Sequence, residues 1–234
     1  MARADLCSGV DPREVPRYGL NDAAWYLAIP LATLRSWVIG RSYPKQDGTA
    51  HFEPLIQLPG GADRRLSFSN LVEAHVLRSL RTHHEVPIKH VRAALTYAEE
   101  RLGIDRLLLR DDLLTHTGDV FLERYGELVN LSKSGQIAVR QMLEAHLARV
   151  EWSTGDPHPR RLFPFSHGGV LDASKVILID PRVAFGKPTI AGKGVTTAAL
   201  VRRVNAGESL QDLARDYDLS EEQVKAAILY ERAA

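Results

Sequence analysis

Residues 21–40 read Asn21-Asp22-Ala23-Ala24-Trp25-Tyr26-Leu27-Ala28-Ile29-Pro30-Leu31-Ala32-Thr33-Leu34-Arg35-Ser36-Trp37-Val38-Ile39-Gly40. Asn21 suits a helix N-cap and Asp22 the positive end of a helix dipole, which predicts a short helix from Asp22 to Leu27. Ala28-Ile29 makes a tight break, and Pro30 fits the first turn of a second helix. That helix runs to Val38 and stops before Gly40. Two short helices with a brief turn between them make a helix-turn-helix. A recognition helix needs small polar and basic side chains directed into the groove, and Thr33, Arg35 and Ser36 supply them. Leu34 and Trp37, three residues apart, are expected to face the core.

Downstream, Phe52–Leu58 and Arg65–Phe68 read as strands around a Pro-Gly-Gly turn, the hairpin of a wing. Arg41, Lys45, Arg64 and Arg65 follow the recognition helix or sit on that wing, where they suit phosphates. A helix is expected from Asn70, with Glu73 closing a capping box. A second starts at Val86-Pro87 and ends at Gly103; Ile88, Val91, Leu95 and Leu102 mark its apolar face. Residues 107–131 break into short apolar runs separated by Thr117-Gly118-Asp119 and Tyr125-Gly126, which predicts a small antiparallel meander. Helical period returns over Gln136–Val150. The prolines and glycines of 153–175 suggest a linker. A strand is expected over Val176–Ile179, and then three helices. Gly207 stops the first of these; Ser209 with Asp212 and Ser220 with Gln223 cap the others.

The expected architecture is therefore α+β and mainly helical. It has a leader (1–18), a winged helix-turn-helix (19–103), a meander with a helix (104–152), a linker (153–175) and a C-terminal three-helix unit (176–234).

Composition narrows the class. The chain has 234 residues, 44% hydrophobic and 25% charged, enough to bury a core. One cysteine, Cys7, permits neither an internal disulfide nor a Cys-based zinc site, which fits a reducing cytoplasm. No apolar run approaches the roughly 20 residues of a membrane helix. The net charge is only +1, so a nucleic-acid surface must come from local clustering. Catalysis is not expected. His83, His84 and His90 lack a Cys or paired acid to complete a metal site. Gly186-Lys187-Pro188 has proline where a phosphate loop needs Ser or Thr. No Gly-x-Ser-x-Gly elbow occurs. No cofactor is expected.

Thr33-Leu34-Arg35-Ser36-Trp37 resembles the recognition helix of MerR-like winged helices, and the order of elements through Gly103 resembles theirs. A second resemblance begins at Ile179-Asp180-Pro181-Arg182-Val183 and Phe185-Gly186-Lys187-Pro188-Thr189-Ile190-Ala191-Gly192. It continues through Gly207-Glu208-Ser209-Leu210, Leu213, Tyr217, Leu219-Ser220 and Val224. These residues are similar to a short bacterial domain of formerly unknown function found in antitoxins. The short form continues Thr-Arg after Ile-Ala-Gly; here Lys193-Gly194 follows, so no arginine role carries over.

The whole chain resembles VapB-type antitoxins. The resemblance implies a VapC-type PIN-domain ribonuclease as partner, a toxin that holds divalent metal with clustered acids. Basic side chains could cover those carboxylates: Arg182, Lys187 and Lys193 near the glycine-proline loop, Arg202 and Arg203 on the next helix, and Arg160 and Arg161 beside Phe163 and Phe165 in the linker. The linker's mixture of basic and aromatic residues suits an interface. The loop's prolines and glycines could equally serve only to set turns. Operator binding by one small wing implies a homodimer. The alternative is an effector-responsive MerR-like transcription factor, with residues 104–234 sensing a small molecule.

The last two helices also have helix-turn-helix spacing. Yet residues 204–224 hold six carboxylates (Glu208, Asp212, Asp216, Asp218, Glu221, Glu222) against one cation, Arg215, a balance that repels phosphates. Either this pair serves packing or protein contact, or its acids simply cap helices and solvate the surface.

Overall fold

A computed structural model describes residues 10–45, 48–60, 64–80, 88–114, 116–130, 132–153, 156–165 and 175–232. The chain is mixed α and β, mostly helical, and divides into two compact units. One unit comprises residues 1–34, 58–71 and 161–234; the other comprises 35–57 and 72–160. Among the described residues, three two-stranded sheets accompany the helices.

The first unit joins the two ends of the chain. Helix α1 (Leu20–Tyr26) starts one residue after Gly19, whose backbone is extended, so Asn21 lies inside the helix and is not its cap. The helix stops at Ala28, which takes a left-handed conformation at φ 50°, the break expected there. Strand β5 (Ile177–Leu178) pairs antiparallel with β6 (Thr189–Ile190). Three helices follow: α7 (Thr197–Asn205), α8 (Leu210–Tyr217) and α9 (Glu221–Arg232). The Thr196, Ser209 and Ser220 hydroxyls each accept a backbone N–H of their own helix's first turn, because those amides lack intrahelical partners. Ser220 and Gln223 bond reciprocally, the expected capping box.

The core of this unit is Ile177, Ile190, Leu200, Ala227 and Tyr230, with Trp25 and Tyr217 packed against it. The Trp25 and Tyr230 rings lie 5.7 Å apart, and the Tyr230 hydroxyl donates to Tyr26 O at 2.9 Å. Helix α1 is therefore built into the same core as the last helix. That divides the chain differently from the expected 19–103 and 176–234 domains. The supposed leader is also part of this unit from Asp11 onward. Tyr18 is 4% exposed and bridges Leu66, with Leu66 N donating to Tyr18 O at 2.9 Å. The strand expected over Arg65–Phe68 is only this single bridge, and α3 (Phe68–Ser79) begins directly after it.

The second unit holds most of the remaining helices. Helix α2 (Leu31–Val38), which enters this unit at Arg35, leads through Gly40 into a hairpin of β1 (Arg41–Lys45) and β2 (Gly48–Phe52), paired antiparallel from Arg41↔Phe52 to Lys45↔Gly48. The wing thus lies about ten residues earlier than expected. Gly40 explains this: at φ 79° it reverses the chain at once, and a Cβ there would sit 2.1 Å from Phe52 O. The main-chain oxygen of Trp37 accepts from Leu55 N and Ile56 N, which returns the chain to the helix after the hairpin.

Helices α4 (Ile88–Leu102), α5 (His116–Leu128) and α6 (Lys133–Leu147) complete the unit with β3 (Val150–Ser153) and β4 (Asp156–Leu162), which pair. The described residues of 107–131 form helical turns and a helix in place of the expected meander. Two short 3-10 turns, Leu107–Leu109 and Asp111–Leu114, lead into α5. Phe121 and Tyr125 are both fully buried at i, i+4 on α5, and their rings stack 5.7 Å apart. Burying that face against α4 outweighs the turn tendency of Gly118 and Gly126. The expected linker is structured through Phe165, because β4 pairs with β3 and Leu162 bridges Ile179. Cys7, His83, His84 and residues 166–174 lie outside the described residues.

Candidate functional site

Helix α2 divides sharply between two faces. Leu34 and Trp37 are 0% and 1% exposed, as their spacing requires. Arg35 is exposed, and Thr33 and Ser36 are half-buried beside it. Leu31 adds exposed apolar surface at the start of the helix. The wing strand β1 carries Arg41, Ser42 and Tyr43, all exposed, with Lys45 at its end. Arg35, Arg41 and Lys45 fall in one compact unit, Arg64 and Arg65 in the other. Arg64 and Arg65 are exposed but are not on the wing: they precede the Tyr18–Leu66 bridge, and Arg65 Nη1 donates to Arg17 O at 3.4 Å. This arrangement offers a polar, basic helix face for a groove and a basic hairpin for phosphates.

The basic residues expected at a protein partner sort into two groups. Several are occupied within the chain. Arg161 Nε binds the buried Asp180 carboxylate at 2.9 Å. Lys193 Nζ lies 2.5 Å from Asp218 Oδ2. Arg203 bridges Glu208 and Asp216 and lies over the Tyr217 ring at 5.2 Å. Hydrogen bonds that the Arg203 guanidinium donates to Glu208, then Tyr217 and Asp216, hold it in its charged form well beyond its ordinary range. Arg160, Arg182, Lys187 and Arg202 are exposed. Phe163 and Phe165, expected as open anchors, are 5% and 4% exposed; they are core residues because the segment around them is folded.

The same pairings alter the acidic reading of the tail. Arg203, directly before residues 204–224, and Lys193, further upstream, pair with Glu208, Asp216 and Asp218. Arg215 pairs with Asp212, and Lys225 lies 3.7 Å from Glu221. Within the chain these carboxylates cap helices and close ion pairs.

Sequence reasoning missed one aromatic residue. Asp180-Pro181 and Gly186-Lys187-Pro188 do set a turn, and within it Ala184, Phe185 and Gly186 all adopt positive φ, at 46°, 56° and 75°. Phe185 is 85% exposed at the tip. A ring so exposed forgoes about 2 kcal/mol of burial free energy, and two successive non-glycine residues in left-handed backbone add strain. The loop is nevertheless held from several sides. Asp180 Oδ1 accepts Arg182 N at 2.9 Å, Arg17 Nη1 donates to Pro181 O at 2.7 Å, and the Tyr18 hydroxyl lies where a Gly186 Cβ would be. That hydroxyl is buried with no hydrogen-bond partner among the described residues, and burial raises its pKa above the ordinary tyrosine value. The signal available in sequence was Phe185 inside a Pro-Arg…Gly-Lys-Pro frame.

Residues 16–95 match the family described as "Putative DNA-binding HTH domain", and residues 177–230 match "Protein of unknown function (DUF433)". A Mycobacterium tuberculosis protein named "Putative antitoxin VapB45" is 29% identical over 232 residues, 92% of this chain and 93% of that protein. This chain is similar to that protein along nearly its whole length. Another relative from the same organism, named "Uncharacterized protein Rv2308", is 28% identical over 97% of this chain and 94% of its own length. The X-ray crystal structure of Rv2018 from M. tuberculosis superimposes with a TM-score of 0.66 at 26% identity, covering 92% of this chain and 98% of that one. The chain thus matches a helix-turn-helix family in its first half and the second family at its end. Among its described residues no helix is long and apolar enough to cross a membrane.

Proposed function

We propose that this chain is an antitoxin that represses its own operon by binding operator DNA and neutralises a cognate PIN-domain ribonuclease. The observation that carries the DNA half is the division of α2. Leu34 and Trp37 are buried while Arg35 is exposed, and a hairpin bearing Arg41 follows at once. In this reading Arg35, with Thr33 and Ser36 on the same helix, reads base edges, and Arg41 and Lys45 on the hairpin bind phosphates. The chain acts as a homodimer on a two-fold operator, in the cytoplasm, without catalysis of its own.

The likeness to a protein named as an antitoxin supports the toxin half. The cations suited to a partner's acidic metal site are Arg160, Arg182, Lys187 and Arg202, since Arg161, Lys193 and Arg203 are already paired inside the chain. The test is a double variant, Arg35→Ala with Arg41→Ala. Operator affinity should fall about tenfold or more, with a shallower salt dependence, while inhibition of the ribonuclease encoded in the same operon is unchanged. Equal loss of both activities would contradict the division of roles.

One observation favours a second reading, a regulator switched by a small molecule. The second unit contains a cleft of about 490 Å³ lined by Arg92, Thr96, Glu99, Asp105, Arg106 and Glu73, among others. Its charges are largely engaged. Arg106 binds Glu73 through two hydrogen bonds, and Glu99 accepts Leu107 N. A metabolite that changes operator affinity with no protein partner present would establish this second reading.

A further inference from the structure

We infer that Phe185 is the anchor by which this chain docks its protein partner, seated in an apolar pocket rimmed by the partner's carboxylates. The inference rests on the antitoxin reading above and names the part of the surface that performs it. Four observations converge on one loop. Phe185 is 85% exposed, more than any other large hydrophobic side chain among the described residues. It stands on left-handed backbone that a non-glycine residue adopts only when its surroundings impose it, φ 56° and ψ 32°.

The loop is also fixed before any partner arrives. Arg17 holds Pro181 O, Arg161 and Arg182 N hold Asp180, and Tyr18 closes over Gly186. An exposed ring on a fixed loop loses little conformational entropy on binding, which is what makes an aromatic residue an efficient interface anchor. Finally, the exposed side chains that flank the tip, Arg182 and Lys187, are both cationic, while the loop's acid, Asp180, is buried and neutralised by Arg161. The surface around the ring therefore favours an acidic rim. A nucleic acid would be drawn by the same cations, but a phosphate backbone offers no pocket for the ring.

The experiment uses the full chain and the PIN-domain ribonuclease encoded in its operon. Calorimetric titration is combined with photo-crosslinking from p-benzoylphenylalanine placed at position 185 and, as a control, at the exposed Ile137. Phe185→Ala should weaken the complex about tenfold or more; Phe185→Leu should lose less, and Lys187→Glu should add a loss that salt moderates. Phe185→Gly should weaken binding as much as alanine while raising the melting temperature, since glycine relieves the left-handed strain. Operator affinity should stay within twofold, and position 185 alone should crosslink to the ribonuclease. If wild-type chain binds and inhibits while Phe185→Ala retains affinity within twofold, the anchor is elsewhere and the antitoxin reading stands. If position 185 crosslinks only to another copy of this chain, the site is a self-association contact and the inference fails. If wild-type chain neither binds nor inhibits the ribonuclease, the antitoxin reading fails and takes the inference with it.

Discussion

A Cβ on residue 40 would sit 2.1 Å from Phe52 O, and the backbone there is left-handed at φ 79°. Both facts forbid a side chain, so Gly40→Ala should destabilise the protein by about 2 kcal/mol or more and loosen the wing. Urea unfolding measures the first effect, and an unchanged midpoint would refute it. A buried histidine pair sets a second residue-level expectation. The His75 and His146 rings lie 5.0 Å apart, and both pKa values are lowered, chiefly by burial; for His75 the neighbouring His146 adds to this, and Arg78 and Arg149 lower both further. His146 falls to about 4 from 6.5. The unfolded chain therefore binds protons that the folded chain refuses, and stability drops as pH falls from about 6.5 towards 4. His146 alone should account for roughly 2 kcal/mol between pH 7.5 and pH 5. Denaturant titrations at those two pH values check this, and a profile that rises on acidification contradicts it.

At the scale of elements, the last three helices start where their caps dictate. Ser220 and Gln223 satisfy each other's backbone amides at 3.2 and 2.9 Å, and α9 begins there. Ser220→Ala should cost about 1 kcal/mol, measurable as a lower melting temperature; Ser220→Asp should restore most of it. These caps were legible because they are local: the donor, the acceptor and their spacing all lie within one turn. The α1–α2 pair was legible for the same reason, with Pro30 and Gly40 as its punctuation. The meander over 107–131 was misread because its runs of three apolar residues and its glycines satisfy a strand pattern as well as a helical one. Phe121 and Tyr125 belong to one helical face only once α4 is there to cover it.

On the scale of the whole molecule, the chain's two ends share a core. Trp25 and Tyr26 of α1 contact Tyr230 of α9, and Arg17 reaches Pro181 O. A chain cut after residue 152 therefore loses the partners of its first helix. We expect that fragment to lack a folded α1 and to bind operator DNA at least tenfold more weakly than the full chain, with the loss visible in far-UV circular dichroism and in a gel-shift titration. Full operator affinity in the fragment would show that α1 folds without the C-terminal unit. The charge balance of the tail has the same origin. A count over residues 204–224 finds strong acidity, but Arg203 and Lys193, both upstream of that window, pair with three of its six carboxylates.

By itself, the amino-acid sequence determined the short-range features: the helix-turn-helix, the capped C-terminal helices, the inward faces of Leu34 and Trp37, and the resemblance to antitoxins. Each depends on spacing within a turn or two, which the chain carries wherever it folds. Tertiary structure alone decided which aromatic rings are covered. Phe163 and Phe165 sit in a stretch that looks open and become core, while Phe185 sits among turn residues and is left in solvent. Burial depends on what distant segments bring to a side chain, and here the distant segments were the opposite ends of the polypeptide.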